Sequence, residues 1–145
     1  MDVKISLEFG AKYPNRAHIE DAAFDLFNYG VKDINIDKST ITYRTGVHIY
    51  LPENYCALVV SKSGLHSRYG IITDGLIDSN YTGEILVTLN YPYHDIKVFD
   101  IGDKIAQLLI LKLPQICLVD ENGLAYQTKF IPEKRGNNGF GSTGK

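Results

Sequence analysis

Beta-branched and aromatic residues fall in short runs broken by turn residues about every ten positions, and no long helical repeat competes with them. That pattern predicts strands over residues 3–9, 34–36, 40–43, 46–51, 55–60, 83–90 and 98–101. Residues 55–60 form a continuous apolar run, as expected of a strand buried on both faces. Residues 105–113 are long enough for a helix, but in an all-β setting they read as another buried strand. Residues 65–69 suit a single helical turn. Many short strands with frequent turns imply a sandwich or barrel. No internal repeat or linker divides the 145 residues, which make one domain with room for a core.

Composition narrows the function classes. Hydrophobic residues make up 44% and charged residues 22%, a globular balance. No apolar run approaches the roughly 20 residues of a membrane helix, and residues 1–5 lack the build of a signal peptide. The net charge of −2 argues against a broad footprint for nucleic acid. An anionic ligand would need local cations, backbone amides or a metal ion. Cys56 and Cys117 lie in apolar runs and read as free, buried thiols of a reducing compartment. The four histidines, His18, His48, His66 and His94, share no spacing and receive no catalytic role.

Five segments carry candidate chemistry. Ala22-Ala23-Phe24-Asp25-Leu26 holds one carboxylate among apolar neighbours. Asp25 is either a turn or cap residue or a ligand for Mg²⁺, direct or through water. In Ser61-Lys62-Ser63-Gly64-Leu65, Ser63 and Gly64 can offer a hydroxyl and backbone N–H groups to phosphate, with Lys62 adding charge. Ser63 is equally placed to cap a helix. Gly75-Leu76-Ile77-Asp78-Ser79-Asn80-Tyr81-Thr82-Gly83-Glu84-Ile85 reads as a hairpin. Asp78 follows two apolar residues, so its carboxylate either orients and deprotonates a water or closes an Asx-turn. Gln107 interrupts the apolar run after Gly102-Asp103-Lys104. Its amide needs a partner, either backbone or a phosphate oxygen. The last segment is Arg135-Gly136-Asn137-Asn138-Gly139-Phe140-Gly141-Ser142-Thr143-Gly144. It is too polar and glycine-rich to join a core. It is a disordered tail or a wrap for a ligand, with a guanidinium and hydroxyls for phosphate and a ring to cover a flat base.

Taken in order, these five segments resemble the motifs of the trimeric deoxyuridine triphosphate nucleotidohydrolases, from Ala22 to Gly144. Gly75-Leu76-Ile77-Asp78 and the Arg135–Gly144 segment are the most specific pair. The resemblance implies a single-domain, jelly-roll-like distorted β-barrel over residues 1–134, a glycine-rich lid over 135–145, and a homotrimer with active sites between subunits. It implies Mg²⁺-dependent hydrolysis of dUTP to dUMP and pyrophosphate, which limits uracil in DNA and supplies dUMP for thymidylate synthesis. It implies a cytoplasmic location, the host's if the chain is viral, and no nucleic-acid or membrane partner.

The resemblance also assigns roles. Asp78 orients the water that attacks the α-phosphorus. Tyr81 lies against the deoxyribose, and the backbone around Leu76, Ile77 and Tyr81 pairs with the uracil edge. Asp25 supports the metal–triphosphate assembly through water. Lys62, Ser63, Gly64 and Gln107 serve the phosphates. Phe140 and Gly141 cover the base, while Arg135, Ser142 and Thr143 meet the γ-phosphate end. The chain departs from the family's usual residues at Phe24 for tyrosine, Lys62 for arginine, Asn80 for aspartate and Asn138 for glycine. A dCTP deaminase relative would need a glutamate base in the strand after the hairpin, where Leu86-Val87-Thr88-Leu89-Asn90 offers none. A non-catalytic nucleotide binder would not need Asp78, and a purely structural jelly roll leaves the tail unexplained.

Overall fold

The structure is a computed structural model and describes residues 2–125. Eight strands and one short helix follow in the order β1 (Lys4–Leu7), β2 (Phe24–Phe27), β3 (Gly30–Asn35), β4 (Thr40–Tyr50), β5 (Tyr55–Val60), α1 (Ser63–Tyr69), β6 (Asp74–Asp78), β7 (Glu84–Asn90) and β8 (Lys104–Lys112). Two four-stranded antiparallel sheets result. In the first, β7 takes one edge of β4, while β1 and β3 share the other. The second runs β2-β8-β5-β6. Their facing sides enclose Leu26, Ile41, Tyr43, Ile49, Ala57, Val87, Leu89, Ile105 and Leu108. This is the all-β, jelly-roll-like architecture expected from the sequence.

The spine of the first sheet is β4, eleven residues long where the sequence pattern suggested two short strands. Gly46 joins them. It adopts φ +65° at a register shift between Arg44 and His48, so the strand bends without ending. A side chain there would meet Ala11 Cβ at 2.6 Å and the Tyr29 ring at 3.2 Å.

Tyr43 fills the centre and is fully buried. Its hydroxyl accepts from the Phe99 N–H at 3.0 Å, and its ring meets Phe99 edge-on at 6.3 Å. Tyr91, whose hydroxyl donates to the Lys97 carbonyl at 2.6 Å, has its phenol pushed well above its usual pKa by burial and by Tyr43. Asn28 finishes the clamp: its amide donates to the Phe99 and Asp100 carbonyls at 2.9 and 3.0 Å. This is why residues 98–101, expected as a strand, are not one. Their backbone groups are claimed by side chains instead of a neighbouring strand. The clamp also fixes where the chain enters β8.

Other expectations need correction. Residues 75–85 are not a hairpin: β6 pairs with β5 in one sheet and β7 with β4 in the other, so the loop between them switches sheets. Asp25 sits inside a strand, not a turn. The residue preceding α1 is Lys62, and no side chain caps the helix, so Ser63 is its first residue and not its cap. Cys56 is buried and free as expected, but Cys117 is free and exposed. Arg135, Phe140, Gly141, Ser142 and Thr143 lie outside the described residues.

Gly46→Ala is expected to destabilise the fold by about 1–3 kcal/mol, combining a left-handed backbone with overpacking against Ala11 and Tyr29. Urea unfolding of the two proteins measures it. An unchanged midpoint would mean that the bulge relaxes freely.

Candidate functional site

At one end of the second sheet, three polar side chains converge on a single carboxylate. Asp25 on β2 stands opposite Gln107 on β8. Leu26 turns into the core and Asp25 to the other face, where the segment leading into β2 covers it until only 4% remains exposed. The Lys104 ammonium donates to Asp25 Oδ2 at 2.7 Å, the Gln107 amide to Oδ1 at 3.3 Å, and the Lys62 ammonium lies 3.6 Å from Oδ1. Burial pushes the Asp25 carboxyl up. The Lys104 hydrogen bond, the charges of Lys62 and Lys104, and the Gln107 amide together outweigh it and hold the carboxyl below its usual value. Asp25 is therefore an anion at neutral pH. Gln107, whose amide required a partner, finds a carboxylate. The cluster lines an open polar cavity of about 350 Å³, which His18, Asp21 and Ala22 also line. Ser63 and Gly64 begin α1 directly after Lys62.

Lys104 was not singled out by the sequence. Strict alternation puts residues 104 and 107 on opposite faces of a strand. The ladder between β2 and β8 shifts register between Leu26 and Phe27. Ile105 and Ala106 both point inward with no exposure, and Lys104 is thereby carried onto the face of Gln107. The only sequence signal was a charge at the mouth of an apolar strand.

The sheet-switching loop, residues 79–83, forms the second cluster. Asp78 ends β6, half-buried, and its carbonyl accepts from the Tyr81 N–H at 3.1 Å. Leu76 and Ile77 face opposite ways, the first 62% exposed and the second in the core. The Tyr81 hydroxyl donates to the Glu84 carbonyl at 2.8 Å. Its ring folds over Gly83 so tightly that a Cβ there would sit 2.5 Å from the phenol oxygen. Glycine is needed at that position for the ring to reach its seat. The Glu84 carboxylate accepts from Arg44 Nε at 3.0 Å and from the Gly46 N–H at 2.8 Å. Glu84 and Glu8 together hold the Arg44 guanidinium above its usual pKa.

The two clusters do not meet within one chain. On β5, Asp78 pairs with Cys56 and Gln107 with Val60. Four residues of strand separate those levels, about 13 Å at some 3.3 Å per residue, with a further step across the sheet. Asp25, Lys62 and Gln107 are brought together. Asp78, Ile77 and Tyr81 gather at the other end.

Asp25 should contribute stability at neutral pH and lose it in acid. Its carboxyl is depressed in the fold, so the contribution is complete above the ordinary value of 3.8 and disappears as pH falls through the lower folded value. Asp25→Asn is expected to cost about 1–2 kcal/mol at pH 7, with the gap to wild type closing at the acid end. Urea unfolding across pH checks it. A gap independent of pH would deny that the ion pairs stabilise the site.

Comparison with known proteins supplies the lineage. The dUTPase family model matches residues 10–144. A deoxyuridine 5'-triphosphate nucleotidohydrolase of Clostridium tetani is 38% identical over 144 residues, covering 96% of this chain and 93% of the relative. One from Dictyoglomus turgidum is 39% identical over 142 residues, covering 90% and 89%. Among solved structures, the dUTPase of phage phi11 of S. aureus, described with a structural Mg(II) ion, superposes with a TM-score of 0.68 at 24% identity, covering 83% and 98%. Staphylococcus bacteriophage 80alpha dUTPase with dUpNHpp gives 0.68 at 23% identity, covering 99% of each chain. The sheet architecture, the order of the five segments and these matches agree: the chain belongs to the dUTPase family.

Proposed function

We propose that this protein hydrolyses dUTP to dUMP and pyrophosphate with Mg²⁺, in active sites completed between copies of the chain in a homotrimer. The observation that carries the shared site is the placement of Asp78 and the Asp25–Lys62–Lys104–Gln107 cluster at opposite ends of β5. A water-orienting carboxylate cannot serve phosphates held that far away within a rigid sheet. A second copy presenting its Asp78 end to this copy's cationic end closes the gap. The described surface also carries Leu111, Leu113, Ile116, Leu118 and Leu124 exposed, an apolar run that suits burial between subunits.

The roles follow. Lys62, Ser63, Gly64 and Gln107 contact the phosphates, with Lys104 adding a second ammonium. Lysine is a point charge, so Lys62 attracts phosphate without the bidentate fork of arginine. Asp78 orients the attacking water and takes its proton. Tyr81 lies against the deoxyribose, and the backbone of Leu76 and Ile77 meets the uracil edge. Residues 135–145 close as a lid, Phe140 and Gly141 over the base and Arg135, Ser142 and Thr143 at the γ-phosphate.

The residues present fit Mg²⁺ in an outer role. Among the described residues no three acidic, histidine or cysteine side chains gather to cage an ion. Both Asp25 oxygens already face lysines. Mg²⁺ keeps several waters and shares substrate phosphates, so an ionised Asp25 can hold a hydrated ion through water. When bound, the ion neutralises phosphate charge. The deaminase alternative loses ground, because the Glu84 carboxylate on β7 is committed to Arg44 and the Gly46 N–H.

Incubation with each nucleotide and Mg²⁺, assaying pyrophosphate and ammonia separately, tests the reading. Pyrophosphate is expected from dUTP ahead of dTTP, dCTP and UTP, each misfit methyl or hydroxyl being worth on the order of 1–3 kcal/mol. Comparable turnover of dTTP, or ammonia from dCTP, would overturn it. Asp78→Asn should lower kcat by roughly 10²–10⁴-fold while nucleotide still binds, because an amide cannot accept the water's proton.

Shared sites make a separate prediction. Asp78→Asn and Gln107→Ala proteins, each impaired alone, should regain activity when unfolded together and refolded as mixed oligomers. Mixtures no more active than their parents, or a fully active monomer in sedimentation, would place the whole site in one chain.

A further inference from the structure

The loop that carries Tyr81 joins two sheets, so neither ladder fixes its pitch directly. The Tyr81 N–H to the Asp78 carbonyl and the Tyr81 hydroxyl to the Glu84 carbonyl are bonds between the loop and its own flanking strands. A tie to the opposing scaffold comes from His48 on β4. It stands opposite Glu84 in the ladder, just beyond the Gly46 bulge. Its Nδ1 lies 3.1 Å from the carbonyl oxygen of Thr82, between Tyr81 and Gly83. A carbonyl only accepts, so Nδ1 carries the hydrogen and donates. On the other side of the ring, Nε2 lies 3.7 Å from Glu8 Oε1, and the Glu8 carboxylate is itself gripped by the Arg44 guanidinium at 2.5 Å. The imidazole is 26% exposed, bonded to the loop through Nδ1, with Nε2 turned toward the Glu8 carboxylate.

The consequence is a two-point mount for the turn. Glu84, fixed by Arg44 and by the bulge N–H, presents the carbonyl that receives the Tyr81 hydroxyl. His48 fixes the next peptide. The ring of Tyr81, wedged over Gly83, is seated between these contacts.

We propose that His48 is a positioning residue for the reaction: through the Thr82 carbonyl it sets the pitch of residues 79–83, and with it the discrimination between deoxyribose and ribose substrates. The inference rests on the reading that Tyr81 lies against the sugar. In this role His48 acts through the loop and not on the reacting atoms. It lies on a different strand from every residue expected to bind substrate, which is why spacing along the chain gave it no role.

The test compares kcat and KM for dUTP and UTP in wild type, His48→Ala, His48→Asn and Tyr81→Ala, with thermal unfolding of each. His48→Ala is expected to raise KM for dUTP and to lower the dUTP-to-UTP ratio of kcat/KM by on the order of 3- to 10-fold, as one lost hydrogen bond would, with kcat little changed. His48→Asn keeps an N–H close to the Nδ1 position and should recover most of the ratio. An unchanged ratio and KM in His48→Ala overturns the proposal. So does a loss of kcat and melting temperature in His48→Ala that His48→Asn shares, since that marks a role in folding alone. Tyr81→Ala judges the underlying reading separately. If it leaves the ratio at the wild-type value, the sugar contact is wrong, and the KM of His48→Ala still decides whether the tether exists.

Discussion

Strand β5 is paired along both edges, to β8 on one side and to β6 on the other, and these two ladders decide where the functional side chains stand. A strand hydrogen-bonded on both sides cannot shorten or fold back. Asp78 at one end and Gln107 at the other are therefore held apart by the same bonds that make the sheet stable. The fold thus holds two polar clusters rigidly at opposite ends of one strand, and rigidity is what a site needs if reacting groups are to be held within a fraction of an ångström. On the proposed roles, a second copy of the chain would have to bring the two ends together, which would make association part of catalysis.

Charge is organised on the same local scale. The chain is slightly acidic overall, yet Lys62 and Lys104 both face one cavity. Unpaired, two ammonium groups so close would repel and leave the mouth of β8 strained. Asp25 sits between them, nearly buried, and its charge offsets theirs. The three groups carry one net positive charge in a pocket that Asp21 also lines, so the cations act locally and not as a basic surface. Gln107 binds the same carboxylate, so Asp25 orients an amide as well as two cations.

Much of this was legible in the sequence because alternation and turn residues are local signals. Residues 55–60 were bounded correctly from their apolar run, Asp25 and Gln107 stood out as polar groups among apolar ones, and Lys62 as a charge where that run ends. What escaped depended on contacts distant in the chain. The loop after Asp78 looks like a hairpin turn, because nothing within residues 75–85 records that the two strands join different sheets. Residues 98–101 have strand composition, but Tyr43 and Asn28 capture their backbone groups from 56 and 71 residues away. The bulges at Gly46 and near Ile105 break the period on which strand reading relies, and Lys104 was hidden by the second of them. Cys117 lies in an apolar run that here belongs to the surface.

On the proposed roles, the two clusters also differ in what they can select. Ammonium groups on flexible stems attract any triphosphate, because a point charge has no preferred direction and phosphate is common to every nucleotide. The cationic end can therefore provide affinity but little choice. Choice needs groups whose direction is fixed, and on the proposed roles these are the peptide edges of Leu76 and Ile77 and the Tyr81 ring seated against Gly83. Directional groups discriminate only as well as they are held. This gives a physical reason for the concentration of buried and half-buried bonds behind the loop, from Gly46 through Glu84 and Arg44 to Glu8 and His48. A bulge in one sheet frees an N–H, a glutamate takes it, and the same glutamate's carbonyl seats the tyrosine. On that reading, selectivity at one end of the molecule is built from an irregularity in the strand behind it.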